Sequence, residues 1–118
     1  MSAPPGPPGF AYLASPYSHA DAEVREWRFR EACRVAAELM QHGQVVFSPI
    51  THSHPIAEAK PGPWAVDHDF WLRQDAPYLE ACMKLYVLAL PGWEQSRGVA
   101  HEIARARERG IPVEIISP

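Results

Sequence analysis

The sequence predicts an α/β fold: a small doubly wound parallel sheet of four to five strands, flavodoxin- or Rossmann-like, with helices on both faces. Three observations predict it. Short apolar runs of strand length alternate with longer stretches of helical periodicity. Their order is β-α-β-α-β-α-β, and near-continuous apolar strands separated by helices mean a parallel sheet covered on both sides. Prolines, 13 of 118 residues against 7 glycines, mostly punctuate the boundaries between those segments, where a fixed φ and a missing N–H do least harm. Right-handed crossovers then wind the sheet in both directions.

Each element follows from its residues. Met1 to Pro8 is a proline-rich tail, expected to be mobile, and residues 9–118 form one domain. Gly9 to Ala14 is a buried strand ended by Ser15-Pro16. Ser18 to Asp21 offers a helix N-cap, and from Ala22 to about Gln41 the residues Phe29, Ala32, Cys33, Ala36, Leu39 and Met40 recur at helical spacing until Gly43. Gln44 to Phe47 is a second strand, and a loop rich in His and Pro is expected from Ile50 to Pro63. Trp64 to Cys82 reads as helix, with Pro77 allowing a break or a new first turn. Leu85 to Leu90 is the most apolar strand, ended by Pro91-Gly92. Gly98 to Arg109 is a helix closed by Gly110, and Ile111 to Ile116 is the last strand.

Composition excludes several classes. No Gly-X-Y period or heptad run is present, which removes collagen and coiled coil. A net charge of −3 argues against a binder of nucleic-acid polymers, although a single nucleotide needs only a few local donors. No apolar run approaches the ~18 residues of a membrane span, and the N-terminus lacks the pattern of a signal peptide. The expectation is a soluble cytoplasmic protein with Cys33 and Cys82 as buried free thiols.

Ligands of such sheets bind outside the carboxyl ends of the strands, near the topological switch point. That rule selects Ser15, Pro16, Tyr17, Ser18 and His19 after the first strand, and Ser48, Thr51, His52 and His54 after the second. After the third it selects Trp93, Glu94, Gln95, Ser96 and Arg97. The turns at the opposite end are plain. Ser96-Arg97-Gly98 opens a helix, where backbone N–H groups, a hydroxyl and a guanidinium suit a phosphate, although capping alone also explains a serine there. Glu102 lies about one turn into that helix, beside its apolar face; it is either an ordinary exposed glutamate or a carboxylate with a task. A metal reading takes His52, His54 and His68 with Asp67 or Asp69, but the spacing matches no strong zinc pattern, so no metal and no cofactor are expected. Pro16, Pro49 and Pro91 each follow a strand at its carboxyl end and should stiffen the rim of a pocket there.

Two segments carry a resemblance. Tyr12-Leu13-Ala14-Ser15-Pro16-Tyr17, after the first strand, resembles the opening motif of the nucleoside 2-deoxyribosyltransferase and nucleotide N-hydrolase superfamily. Leu90 to Glu102, with Pro91-Gly92-Trp93-Glu94-Gln95-Ser96-Arg97-Gly98 at its start, resembles that superfamily's nucleophile segment, nearest to a small bacterial and phage branch with a Pro-Gly-Trp-Glu-x-Ser-x-Gly signature. The resemblance spans about Gly9 to Ile116. It implies that Glu102 attacks the anomeric carbon, that Tyr12 orients this carboxylate, and that Asp75 assists the departing base. It also implies a nucleotide or nucleoside partner, and a homodimer or larger homo-oligomer to whose interface Trp27, Trp64 or Trp71 would be suited.

One departure refines the substrate. The transferases have an aspartate six residues before the nucleophile, whereas this chain has Ser96, as the nucleotide N-hydrolases do. A carboxylate there would repel a 5′-phosphate and a hydroxyl beside Arg97 would not. The expected function is hydrolysis of the N-glycosidic bond of a (deoxy)nucleoside 5′-monophosphate through a covalent glycosyl-Glu102 intermediate. Expected substrate contacts are Ser15, Pro16, Tyr17, His52, Trp93, Ser96, Arg97 and Gly98. The alternatives are a nucleoside deoxyribosyltransferase, a nucleotide-binding sensor without turnover, and, from the histidines, a metal-dependent phosphohydrolase.

Overall fold

The structure is a computed structural model that describes residues 9–118; the proline-rich segment 1–8 lies outside the described residues. Strand β1 (Ala11–Ala14) leads into helix α1 (Ala22–Gln41), strand β2 (Val46–Phe47) and helix α2 (Pro49–Ala59). A 3₁₀ turn (Pro63–Val66) precedes helix α3 (His68–Ala81) and strand β3 (Lys84–Leu88). A second 3₁₀ turn (Trp93–Gln95) precedes helix α4 (Arg97–Arg109) and strand β4 (Val113–Ile116). Asp21, the last residue of the expected cap segment, accepts from Glu23 N–H and starts α1, while Gly110, in the left-handed region at φ 70°, closes α4.

The four strands form one all-parallel sheet in the order β2-β1-β3-β4. Alternation along β1 sends Ala11 and Leu13 to one face, against Val35 and Ala36 of α1 and Tyr86 and Leu88 of β3. Tyr12 and Ala14 face the other way, against Leu79 of α3 and Val99 and Ala106 of α4. With both faces covered, all four residues of β1 are buried, which is why that strand reads as a continuous apolar run. The chain winds outward from β1 to β2 and then returns past it to β3, so the switch point lies between β1 and β3. Tyr12 pairs in register with Phe47 on one side and Leu85 on the other.

Three details differ from the sequence reading. The segment expected to be a His- and Pro-rich loop is largely helix α2. Ser48 caps it by accepting from Thr51 N–H at 3.3 Å, and Pro49 at its start has φ preset for a helix. Pro55 forfeits one internal hydrogen bond, but α2 packs on α1 and buries Ser53 and His54, and that packing overrides propensity. The helix expected from Trp64 starts instead at His68, because the Asp67 carboxylate accepts from the N–H groups of Asp69 and Phe70; it then continues through Pro77. Both cysteines are free, Cys82 buried but Cys33 only half-buried.

Candidate functional site

Three side chains from separate elements meet on the α3/α4 side of the sheet. Tyr12 of β1 is fully buried, Glu102 of α4 is 7% exposed, and Asp75 of α3 is half-buried. Burial pushes the Glu102 carboxyl up to about 8; the Tyr12 hydroxyl pulls it down and the Asp75 charge pushes it up again. Burial likewise pushes Asp75 up to about 7. Tyr12 is raised well above 10, by burial first and then by the Glu102 and Asp75 charges. The Tyr12 hydroxyl therefore lies against the Glu102 carboxyl, yet it forms no hydrogen bond of regular geometry. Two carboxyls that both resist ionisation, with an unsatisfied phenol beside them, form a site with spare hydrogen-bonding capacity and a proton to give.

The loop after β1 is built more tightly than its sequence suggested. Ser15 and Pro16 are buried, and the Ser15 hydroxyl has no partner. The Tyr17 hydroxyl bonds to Nδ1 of His54 at 2.6 Å. The other ring nitrogen of His54 lies 2.8 Å from Glu26 and 2.9 Å from Glu58, and its ring stacks on Phe29 at 4.2 Å. The His54 hydrogen bond, opposed by desolvation, holds Glu26 below the usual carboxylate range. Tyr17 is thus fastened to α2 by its hydroxyl, and through His54 and Glu26 to α1, which leaves its ring as the free part of the side chain. Glu26, His54 and Glu58 also form a grouping of metal-ligating side chains, their atoms within 4.8 Å of one another. It differs from the histidine set weighed and set aside in the sequence, because residues two apart on a helix project about 200° from each other: His54 is buried and His52 exposed.

The loop after β3 turns at Gly92, whose φ of 92° lies in the left-handed region. Arg28 of α1 reaches this loop. Its guanidinium donates to the Ser18 carbonyl at 2.9 Å and to the Pro91 carbonyl at 3.1 Å, tying the two switch-point loops together. A Cβ on Gly92 would meet the guanidinium at 2.8 Å. Gly92→Ala is therefore expected to lose about 1–2 kcal/mol from backbone strain and more where Arg28 must move. Chemical denaturation of the variant measures this, and an unchanged midpoint would contradict it.

Trp93 is half-buried against the α3/α4 core. Ser96 caps α4 by accepting from Val99 N–H at 3.2 Å, and Arg97 is exposed at the first helical position. That cap leaves the N–H groups of Arg97 and Gly98 unserved. His68, considered in sequence only as a metal ligand, lies against this turn, its Cε1 3.9 Å from where a Gly98 Cβ would sit. His52 stands apart, beside the stacked rings of Phe47 and Tyr78, which are 4.0 Å apart and 8° from parallel. Phe47 in turn touches Tyr12. Two shallow surface depressions are lined by neither Glu102 nor Asp75. One, of about 380 Å³, lies along α1 at Trp27 and Arg30; the other, of about 210 Å³, lies by Phe10, Val45, Tyr78 and Phe47, the neighbour of Tyr12.

The parallel sheet in 2-1-3-4 order, with helices on both faces, makes this a doubly wound, Rossmann-like α/β domain. Its carboxyl pair, Glu102 buried and Asp75 half-buried, lies on the α3/α4 side of the sheet. The chain belongs to the family described as a domain of unknown function, DUF1937, which matches residues 9–118. No curated protein matches the sequence. Among the described residues no helix is long and apolar enough to cross a membrane.

Proposed function

We propose that the protein cleaves the N-glycosidic bond of a (deoxy)nucleoside 5′-monophosphate, as a member of the nucleoside 2-deoxyribosyltransferase and nucleotide N-hydrolase superfamily that its motifs resemble. The observation that carries the proposal is the convergence of Tyr12 and Glu102, both buried, and the half-buried Asp75, residues remote in sequence, into one cluster. A Glu102 oxygen attacks C1′ of the sugar. The C1′–N bond breaks with its electron pair passing to the base, and the Asp75 carboxyl supplies the proton that the base nitrogen takes up. Water then attacks C1′, gives its proton to Asp75, and releases Glu102 as carboxylate.

The reaction needs Glu102 ionised and Asp75 protonated. With the two raised to about 8 and about 7, the pair loses its first proton in the neutral range and titrates as a unit. In the free protein the higher value belongs to Glu102, which keeps its proton longer; in the complex the positive charge that develops on the sugar, with the Tyr12 hydroxyl, draws the negative charge onto Glu102. Tyr12→Phe is expected to keep its stability within about 1 kcal/mol, since the hydroxyl has no regular partner to lose. It is expected to slow base release by about 10- to 100-fold, the worth of one charge-assisted hydrogen bond. Wild-type rate in the variant would remove Tyr12 from the mechanism.

The test is incubation with a panel of nucleoside and deoxynucleoside 5′-monophosphates, followed by chromatography for free base. Release from at least one, and none in Glu102→Gln, is the expected result; a second base added to the mixture separates transfer from hydrolysis. The 7% exposure of Glu102 favours one other reading, a nucleotide-binding module without turnover. Tight binding of a nucleotide that is recovered intact would establish that reading instead.

A further inference from the structure

Arg28 is a buried cation without a counter-charge. The residue is 8% exposed, and among the described residues no carboxylate lies within ion-pair distance of it. Its bonded partners are two neutral carbonyls, those of Ser18 and Pro91, and its Nε–H has none. Burial lowers its pKa, as desolvation of an unpaired charge must. Two other arginines of α1, Arg30 and Arg34, sit at the surface in ion pairs with Glu26, Glu31 and Glu38, and Arg25, which also donates to carbonyls, those of His19 and Ala20, is less buried than Arg28. A guanidinium carries five N–H donors, and two of Arg28's are spent on carbonyls. Burying a guanidinium without an opposite charge is costly, and an anion bound beside it would offset that cost.

Its position says where that anion belongs. The two carbonyls it grips lie within the loops after β1 and β3, the strands that flank the switch point. Gly92 has no side chain at the one place where a Cβ would collide with the guanidinium. The exposed Arg97 has no comparable setting.

We infer that Arg28 is the counter-charge for an anionic group of the ligand, and that it binds the 5′-phosphate of the substrate from beneath the β1 and β3 loops. The phosphate identity rests on the nucleotide reading given above; the anion site does not. A planar, bidentate donor suits phosphate, and its charge-assisted hydrogen bonds are stronger than neutral ones. Arg28 is then what distinguishes a nucleotide from a nucleoside, with the α4 N-terminus at Ser96 as a second contact.

The experiment titrates the full-length protein, ¹⁵N-labelled on arginine, with inorganic phosphate, and follows the side-chain Nε–H resonances. The Arg28 resonance is expected to shift saturably, with phosphate raising the melting temperature. Arg28→Lys, which keeps the charge but loses the fork, is expected to weaken phosphate binding by about 10- to 100-fold. An unmoved Arg28 resonance, whether phosphate binds elsewhere or nowhere, would overturn the inference. So would an Arg28→Lys variant that is less stable but binds phosphate as tightly as wild type. Because the wild-type titration needs no variant, failure of Arg28→Lys to fold leaves it decisive. Phosphate on Arg28 without base release would defeat the glycosidase reading alone; base release with Arg28 unmoved would defeat the anion site alone.

Discussion

Glu102→Gln is expected to abolish base release, by about 10³-fold or more, the scale on which loss of a covalent nucleophile is felt, and at the same time to raise the melting temperature at pH 8. The second effect follows from the buried carboxyl. In the unfolded chain Glu102 ionises near its ordinary value of 4.5, whereas the folded protein keeps the proton up to about 8. Between those values the folded state binds more protons, so wild-type stability falls as pH rises. Asp75, raised from 3.8 to about 7, works in the same direction. Each pKa unit is worth about 1.4 kcal/mol, so Glu102 contributes several kcal/mol of destabilisation on the alkaline side. Glutamine never ionises and escapes it. The gap in melting temperature between variant and wild type should therefore be small near pH 5, grow up to about pH 8 and then level off. Thermal melts of both proteins across that range check it. A glutamine variant less stable than wild type at pH 8 would mean that Glu102 is held as a satisfied anion.

Asp75→Asn is the second large effect. Loss of a general acid slows base departure by about 10²–10⁴-fold. The loss should depend on the leaving group. A nucleotide of N7-methylated guanine carries a base that is already cationic and leaves without a proton. For that substrate the first turnover, read as a burst of base release, should fall within about tenfold of wild type, since no general-acid contribution remains to be lost, while steady-state turnover still loses the general base of the second step. Equal first-turnover losses on both substrates would place Asp75 in binding or folding rather than in proton transfer. The pH–rate profile of wild type offers a companion readout: a bell with both limbs in the neutral to mildly alkaline range, belonging to the carboxyl pair as a unit.

Much of the fold was legible because the sheet is covered on both sides. β1 and β3 read as unbroken apolar runs, and Pro16, Pro49 and Pro91 fall just beyond the carboxyl ends of β1, β2 and β3. α2 was not legible, because its histidines and Pro55 carry no helical signal and its stability comes from packing on α1. Tyr12, Asp75 and Glu102 were singled out by motif resemblance; no local spacing joins three residues on three elements. Arg28 was hidden for another reason. It sits on a helix that also carries Arg25, Arg30 and Arg34, and no pattern in that string marks the one guanidinium that tertiary structure buries. His54 was read with His52 as a shared motif, whereas the helix turns one inward to Tyr17, Glu26 and Glu58 and leaves the other outside.

The claim at the centre is a covalent bond between Glu102 and C1′, and peptide mass mapping after incubation with a 2-fluoro-arabinosyl nucleotide tests it directly. Fluorine destabilises the cationic transition states of both steps, and an activated base restores the first, so the intermediate accumulates. The account predicts a mass increment of one fluoroglycosyl phosphate on the peptide containing Glu102, absent from Glu102→Gln. Release of the base with the increment on another residue, or on none, would contradict it.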